Sequence, residues 1–183
     1  MALRRPPTAR VEPNADAVAG AREAMKNLPH NAVNVRATMA HHPVLARAFG
    51  GFANAVLNEF TTPRRQRELI ILRMGWNCQA RYEFGQHTMY GKANGVTDAE
   101  VSAVTRPLSQ HPWADDDRIL LQMTDDLYTD DCVTDATWAE LTARWNTQEV
   151  MELMMSALCY RVVSGFLNSC GVELDEGVPG WPQ

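Results

Sequence analysis

Apolar residues recur every three to four positions along most of this chain, and no segment alternates between apolar and polar residues with a period of two. A spacing of three to four residues marks one face of an α-helix, whereas strict alternation is typical of a half-buried strand. Caps and prolines divide the pattern into about eight segments joined by short loops. The sequence therefore predicts an all-α fold, built as a compact multi-helix bundle.

Local signals place the boundaries of the predicted helices. Thr61-Thr62-Pro63 is typical of a helix start, with a threonine cap and proline in the first turn. Asn94-Gly95 is typical of a left-handed C-cap, and Thr97 with Glu100 forms a capping box. Leu28-Pro29-His30-Asn31 is expected to separate the first two helices. We expect helices at about 17–26, 32–39, 43–59, 61–76, 79–94, 115–129, 134–144 and 147–168, with a short one after Thr97.

The length of 183 residues suits one domain, since a domain of this size buries roughly 70% of its unfolded surface. Residues 1–15 are rich in proline and arginine and are expected to form an extended N-terminal arm. The single helical domain is predicted over 16–175, and residues 176–183 are predicted to be a C-terminal tail.

Charge and cysteine content limit the location and the partners. The net charge of −5 argues against nucleic acid and anionic membrane as partners. The apolar stretch Leu153–Leu167 contains Arg161 and is too short and too polar to span a bilayer. The four cysteines form no CxxC pair, and the first residues carry no apolar leader. We therefore expect a cytoplasmic protein with free thiols.

Three side chains are candidates for proton transfer. Glu83 and His87 are four residues apart and so share one helix face, where a carboxylate can hold an imidazole in one tautomer. Glu68 lies inside an apolar run and must be desolvated or partnered, which would perturb its pKa. Two plainer interpretations stay open: a solvated Glu83–His87 surface pair, and a buried Glu68 held by an arginine. The arginines available for Glu68 are Arg64, Arg67 and Arg73.

Residues 61–104 resemble the core of the carboxymuconolactone decarboxylase and alkyl hydroperoxidase D superfamily. The resemblance covers roughly residues 40–175 and implies a helical bundle of the alkyl hydroperoxidase D-like type. It rests on Arg67-Glu68-Leu69 with Leu72-Arg73, on Glu83-x-x-x-His87, and on Ala93-Asn94-Gly95-Val96-Thr97-x-x-Glu100.

The peroxidase branch of that superfamily uses a glutamate, a CxxC pair, and a histidine four residues after the second cysteine. Aligning Glu68 and His87 with this pattern puts Ala80 and Glu83 at the cysteine positions, and Cys78 falls two residues early. A peroxidatic cycle needs a thiolate and a resolving thiol. The chain resembles instead the decarboxylase branch without the CxxC pair. That resemblance implies acid–base chemistry, of the kind used in aromatic catabolism, with no metal and no organic cofactor.

Our first hypothesis is a cofactor-independent decarboxylase, lyase or isomerase for a small oxygenated organic acid or lactone. His87 would be the general acid or base, Glu83 would orient it, and Glu68 would carry a second proton or position the substrate. Tyr82 and Trp76 would line the pocket. Arg73 or Arg81 would bind a substrate carboxylate, and the alternative for both is a structural salt bridge.

Two other classes are kept: a thiol redox protein using Cys78, and a non-catalytic helical assembly module. The resemblance also implies a homo-oligomer, a trimer or hexamer, with a dimer as the alternative. Independently of it, the helices near Ile70–Trp76 and Met151–Leu167 are apolar on more than one face. Such faces seldom stay exposed on a monomer. The competing account is a monomer with both helices central. Separately, the methionines at 151, 154 and 155 are expected to pack in the core, with a ligand-adaptable surface as the alternative.

Overall fold

The computed structural model describes residues 5–26 and 32–182, so the predicted break at 28–31 lies outside the described residues. All regular structure in the described ranges is helical, which confirms the predicted class. The α-helices are α1 (Ala15–Met25), α2 (Val33–Met39), α3 (Pro43–Asn54), α4 (Arg64–Asn77), α5 (Arg81–Ala93), α6 (Asp98–Ala103), α7 (Asp115–Asp130), α8 (Asp135–Thr142) and α9 (Thr147–Cys170).

The centre of the bundle is α4, which packs against α5, α7 and α9. Leu69, Ile70, Ile71, Leu72 and Met74 have no exposed surface. A helix that contributes to two hydrophobic clusters on opposite sides has to be apolar nearly all round. The expectation that α4 needs a second chain to cover it is therefore wrong, because the protein's own helices cover it.

One of two predicted helix N-caps is confirmed, and the other is wrong. The Thr97–Glu100 capping box is confirmed, with Thr97 Oγ1 accepting from Glu100 N at 3.2 Å and Glu100 Oε2 accepting from Thr97 N at 2.8 Å. The cap expected from Thr61-Thr62-Pro63 is wrong, because α4 begins at Arg64, three residues after the expected start at 61, with no side-chain cap. Both threonines instead donate to Glu152 Oε2 of α9.

A tight turn joins α4 to α5, and α5 begins at Arg81 rather than at Gln79 as predicted. Gln79 has a φ of +51°, a left-handed conformation that breaks the helix. The two helices then pack side by side, and a Cβ added at Gly75 would lie 3.5 Å from Phe84 N. This packing brings the functional candidates of α4 and α5 together.

The helix predicted over 43–59 is two elements. The α-helical part ends at Asn54, and Ala55–Glu59 forms a π-helical turn. Such turns are rare and leave the hydrogen-bonding pattern of the preceding helix. Here the carbonyl oxygen of Leu57 accepts a hydrogen bond from Arg67 Nη1 at 2.8 Å, which links the turn to α4.

The last helix, α9, is long and apolar enough to cross a membrane by length and composition alone. More than half of its most apolar stretch is buried, which is the pattern of a core helix in a soluble helical domain. Met154 packs at the edge of the core. The expectation that Met151 and Met155 are core residues is wrong, since they are 57% and 38% exposed.

The N-terminal arm and the tail both contact the helices. Arg10 N and Val11 N donate to the carbonyl oxygen of Cys170 at the end of α9, at 2.8 and 3.1 Å. The tail passes so close to α5 that a Cβ added at Gly85 would lie 2.2 Å from the carbonyl oxygen of Pro179. A glycine at position 85 is therefore required by the tail's path.

Candidate functional site

The shortest buried polar contact between α4 and α5 joins Glu68 to His87. Glu68 Oε2 lies 2.6 Å from His87 Nδ1, and Glu68 has no exposed surface. A carboxylate in this position favours a proton on Nδ1 and fixes the plane of the ring. The expectation that Glu68 is desolvated or partnered is thus met, and both conditions hold.

Glu83 lies on the other side of the same imidazole. Its Oε1 is 3.0 Å from His87 Nε2, across one turn of α5. Both residues are buried, so the interpretation as a solvated surface pair is wrong. His87 is therefore held between two carboxylates, one on each ring nitrogen.

Arg67 provides the balancing positive charge. Its Nη2 and Nε lie 3.0 and 3.3 Å from Glu68 Oε1, and its Nη1 donates to Leu57 of the π-helical turn. The alternative of a buried Glu68 held by an arginine is therefore correct for Arg67, in addition to the contact with His87. Each oxygen of Glu68 has a different partner, which satisfies the buried charge.

These contacts set the protonation states. Burial by itself would lower the pKa of His87, but the charges of Glu68 and Glu83 and their hydrogen bonds raise it to about 9. Burial would raise the pKa of Glu68, but His87 and Arg67 outweigh that and lower it. At neutral pH the site therefore holds an imidazolium between carboxylates.

Two aromatic rings enclose the imidazole. Tyr90 stacks on it with ring centres 5.0 Å apart and an angle of 19°, and Tyr160 of α9 contacts it edge-on at 4.7 Å and 81°. Burial, with the nearby glutamates, raises the pKa of both phenols above the ordinary value. Both tyrosines therefore stay neutral, and they restrict the approach of water to His87.

His87 and Glu83 open onto a cavity of about 350 Å³. This volume lies within the range of ligand-binding cavities, roughly 300–1,000 Å³. One end is polar and the remaining wall is mainly apolar, supplied by α2, α3, the π-helical turn and α9. The wall consists of Ala32, Val35, Arg36, Met39, Ala46, Phe49, Gly50, Ala53, Asn54, Leu57, Asn58, Tyr82, Glu83, Gln86, His87, Tyr90, Tyr160 and Val163.

Tyr82 lines this cavity, as the sequence predicts, but its hydroxyl is engaged. It donates to Asp175 Oδ2 at 2.5 Å and accepts from Val35 N at 3.3 Å. Asp175 also accepts from Gln86 Nε2 at 3.0 Å. Tyr82 and Asp175 thus hold α2, α5 and the tail together beside the cavity.

Trp76 and Arg73 lie away from the cavity, contrary to expectation. Trp76 packs edge-on against Trp181, with ring centres 5.3 Å apart, in a separate hydrophobic cluster. Arg73 binds Asp125 through two contacts of 2.7 Å and donates to the carbonyl oxygens of Val104 and Arg106. Arg73 therefore forms a structural salt bridge, which is the alternative given for it in the sequence analysis, and does not face a substrate.

Arg81 is also outside the cavity. It is exposed and lies against Gly180, beside a second groove of about 630 Å³ formed with the N-terminal arm. That groove is larger, but neither His87 nor either glutamate lines it. The smaller cavity is therefore the candidate site, because His87 and Glu83 line it.

Cys78 lacks the features of a reactive thiol. It is half-buried, and burial raises the pKa of its thiol, opposite to the shift that favours a thiolate. Among the described residues, no group of three or more His, Cys, Asp and Glu side chains is arranged to hold a metal ion.

Sequence reasoning did not find several residues of the site. Tyr90 had a usable signal, since it lies three residues after His87 and so on the same face of α5. Tyr160 and Arg36 had none, because α9 and α2 reach the site only through tertiary packing. Periodicity also argues against Arg73, which follows Glu68 by five residues and so points about 140° away.

Comparisons with known proteins match part of the chain to a family model. The model of the carboxymuconolactone decarboxylase family matches residues 43–109, which include Glu68, Glu83 and His87. A comparison with curated proteins finds no significant sequence match.

Crystal structures with the same fold extend the likeness to the whole chain. An uncharacterized peroxidase-related protein from Silicibacter sp. TM1040 superposes with a TM-score of 0.81 at 13% identity, covering 100% of both chains. The alkylhydroperoxidase AhpD core protein from Ralstonia eutropha JMP134 gives 0.75 at 18%, covering 93% of this chain and 94% of that one. The debrominase Bmp8 in complex with 2,3,4-tribromopyrrole gives 0.74 at 16%, covering 91% of each. Residues 43–109 thus match the carboxymuconolactone decarboxylase family model, and the whole chain has the helical fold of alkyl hydroperoxidase D-like proteins.

Proposed function

We propose that this protein is a cofactor-independent acid–base enzyme, a decarboxylase, lyase or isomerase, acting on a small oxygenated organic acid or lactone. The observation that supports this best is the buried Glu68–His87–Glu83 array, which opens onto a cavity of ligand size. Buried titratable groups with shifted pKa values in a cavity are typical of proton-transfer sites. The debrominase Bmp8, which binds 2,3,4-tribromopyrrole, supports a compact cyclic substrate.

The two glutamates differ in their access to the cavity, which suggests different roles for them. Glu68 does not line the cavity and would fix the tautomer and the plane of His87. Glu83 lines the cavity beside His87, so the proton between its Oε1 and His87 Nε2 is the one exchanged with substrate. This reverses the first hypothesis, in which Glu83 orients the ring and Glu68 is the second carrier.

The raised pKa of His87, about 9, makes the imidazolium the resting form at neutral pH. The enzyme would then act first as an acid: His87 gives its proton to a carbanion or enolate carbon of the substrate and becomes neutral. The neutral ring formed in that step would take a proton back from the substrate or from water. No outside electron donor or acceptor is needed for this cycle.

The test is turnover of a panel of lactones and keto acids, followed by His87→Gln and Glu83→Gln on whichever substrate reacts. General acid–base groups contribute roughly a hundred- to ten-thousand-fold. We expect each variant to lose at least a hundred-fold in turnover while its circular dichroism stays that of the wild type.

His41→Gln is the matched control, because His41 is exposed and does not line the cavity. It should leave turnover unchanged. Rates near wild type in both site variants would end the acid–base proposal.

Hydroperoxide reduction tests the redox alternative. We expect no thiol-coupled peroxide consumption, since Cys78 is half-buried with a raised thiol pKa and Glu83 occupies the second cysteine position of the peroxidase pattern. Rapid peroxide consumption that disappears in Cys78→Ser would promote the redox hypothesis.

We also propose an oligomeric state and a cellular location for the protein. An apolar stripe of Met151, Met155 and Val162 along α9 supports a homo-oligomer. The four cysteines, all free, support a reducing compartment such as the cytoplasm. The expected partners are a small-molecule substrate and further copies of the chain, without nucleic acid or membrane.

A further inference from the structure

The cavity has one cationic side chain that the sequence analysis did not consider. Of the described residues that line the cavity, Arg36 of α2 is the only arginine or lysine. Arg36 is exposed, so its guanidinium lies at the solvent-facing rim, whereas His87 lies at the buried end. The cavity is thus cationic at its mouth and has its proton-transfer groups inside.

The donors of the Arg36 guanidinium are not used by the part of the chain that the structure describes. Within residues 5–26 and 32–182 it forms no ion pair and no side-chain hydrogen bond. The arginines that hold the fold, such as Arg67 and Arg73, use their donors on carboxylates and backbone carbonyls. Arg36 therefore keeps five N–H donors in the fork geometry that matches a carboxylate.

The buried end of the cavity is a poor place for a substrate carboxylate. Both nitrogens of His87 are already bonded to glutamates, and the Tyr82 hydroxyl donates to Asp175. The Glu83 carboxylate faces the same space and would repel a second one. An anionic group on a ligand would therefore meet the positive charge of Arg36 at the rim and the negative charge of Glu83 beside His87.

The wall between the two ends fixes the character of the rest of the ligand. Met39, Phe49, Leu57 and Val163 present hydrocarbon surface along it. Burying an apolar group there is favourable by about 25 cal/mol per Å². A ligand that spans the cavity would have its carboxylate at Arg36, a compact apolar or cyclic body in the middle, and an uncharged end at His87 and Glu83.

We propose that Arg36 is the substrate-anchoring residue and that the substrate is a monocarboxylate whose uncharged end reacts at His87. The orientation of the reaction rests on the proposed acid–base function, whereas carboxylate binding at Arg36 does not. This assignment favours isomerisation or lactone chemistry at the inner end over loss of the anchored carboxylate.

Binding of simple probes tests the anchor without turnover. Benzoate and cyclohexanecarboxylate are titrated by nuclear magnetic resonance against wild type, Arg36→Gln and Arg47→Gln, with benzamide as the uncharged analogue of benzoate. Arg47 is an exposed arginine of α3 that does not line the cavity, so it matches the charge change. A charge-assisted contact of this kind corresponds to roughly a tenfold change in Kd.

We expect Arg36→Gln to weaken carboxylate binding at least tenfold, with benzamide binding unaltered and Arg47→Gln within twofold of wild type. Absence of saturable carboxylate binding to wild type, or equal losses in both arginine variants, would overturn the assignment. Once a substrate is known, Arg36→Gln should raise KM by a larger factor than it lowers kcat.

Turnover of His87→Gln, compared with carboxylate binding by Arg36→Gln, separates this inference from the proposed function. If His87→Gln keeps full turnover while Arg36→Gln loses carboxylate binding, the acid–base proposal fails and the anchor stands. If His87→Gln loses turnover and Arg36→Gln binds both probes as wild type does, the anchor fails and the acid–base proposal stands.

Discussion

At the scale of single residues, the charge on His87 is decided by competition between desolvation and two carboxylates. Full burial disfavours an imidazolium, and Glu68 and Glu83 reverse that preference because each accepts a hydrogen bond from one ring nitrogen. His87 and, to a smaller extent, Arg67 keep Glu68 ionised, since together they outweigh the cost of burying that carboxylate. The four side chains carry equal numbers of positive and negative charges and depend on one another.

The raised pKa of His87 predicts a pH-dependent stability. The folded protein keeps the proton up to pH of about 9, while the unfolded chain loses it near the ordinary value of about 6.5. The stabilisation is therefore complete below about pH 6.5 and disappears as the pH rises through 9, on the order of 3 kcal/mol in all. Urea unfolding at several pH values should show a declining free energy of unfolding.

His87→Gln removes this contribution, so its profile should be flat between about pH 6.5 and 8. Above that range the raised pKa values of Cys159 and Cys170 add a decline of the same sign to both proteins. Parallel profiles for wild type and His87→Gln between pH 6.5 and 8 would contradict a protonated His87.

At the scale of helices, a bridge between α9 and the start of α4 replaces the expected cap. Glu152 Oε2 accepts from Thr61 N at 2.7 Å and from Thr62 N at 3.1 Å, and from both hydroxyls at 2.8 and 3.4 Å. These bonds fix the segment between the π-helical turn and α4. They therefore also fix the start of α4, from which Arg67 and Glu68 extend.

Glu152→Ala should lower the free energy of unfolding by roughly 2 kcal/mol, because buried donors that lose their acceptor cost about 1–3 kcal/mol. Turnover should fall as well, through displacement of α4 relative to α5. Glu173→Ala, an exposed glutamate in the tail, should change stability by less than about 0.5 kcal/mol. Equal stability of Glu152→Ala and wild type in urea titrations would show that the bridge does not contribute to the free energy of unfolding.

At the scale of the whole molecule, the largest exposed apolar feature of α9 is the stripe of Met151, Met155 and Val162, of which Val162 is 64% exposed. Their spacing of four and seven residues puts them on one helix face. An exposed apolar face is commonly buried by association with closed symmetry. We expect a mass several times 20.4 kDa in solution, a trimer or hexamer by the resemblance.

Val162→Glu should dissociate the oligomer, because it places a charge inside the apolar contact. Ala99→Glu adds the same charge on exposed α6 and should not. Light scattering coupled to size exclusion measures both. A wild-type mass near 20.4 kDa at micromolar concentration would contradict the oligomer.

The sequence by itself determined whatever depends on neighbours within one helical turn. Helical periodicity and the Thr97–Glu100 box predict the helices and most of their ends. The four-residue spacing of Glu83 and His87 predicts their contact, because geometry within a single helix is nearly fixed. Glu68 within an apolar run indicates a buried, partnered carboxylate, since an unpaired charge there is too costly.

Tertiary structure alone decided which helix faces meet. Glu68 and His87 are 19 residues apart in sequence, and they touch because the left-handed Gln79 turns α5 back against α4. Side-chain type made site residues of Arg73, Trp76 and Arg81 in the sequence prediction. In the structure, each extends from its helix away from the cavity. Arg36 and Tyr160 reach the site from helices with no local signal for it, because packing between distant segments depends on the whole set of apolar surfaces.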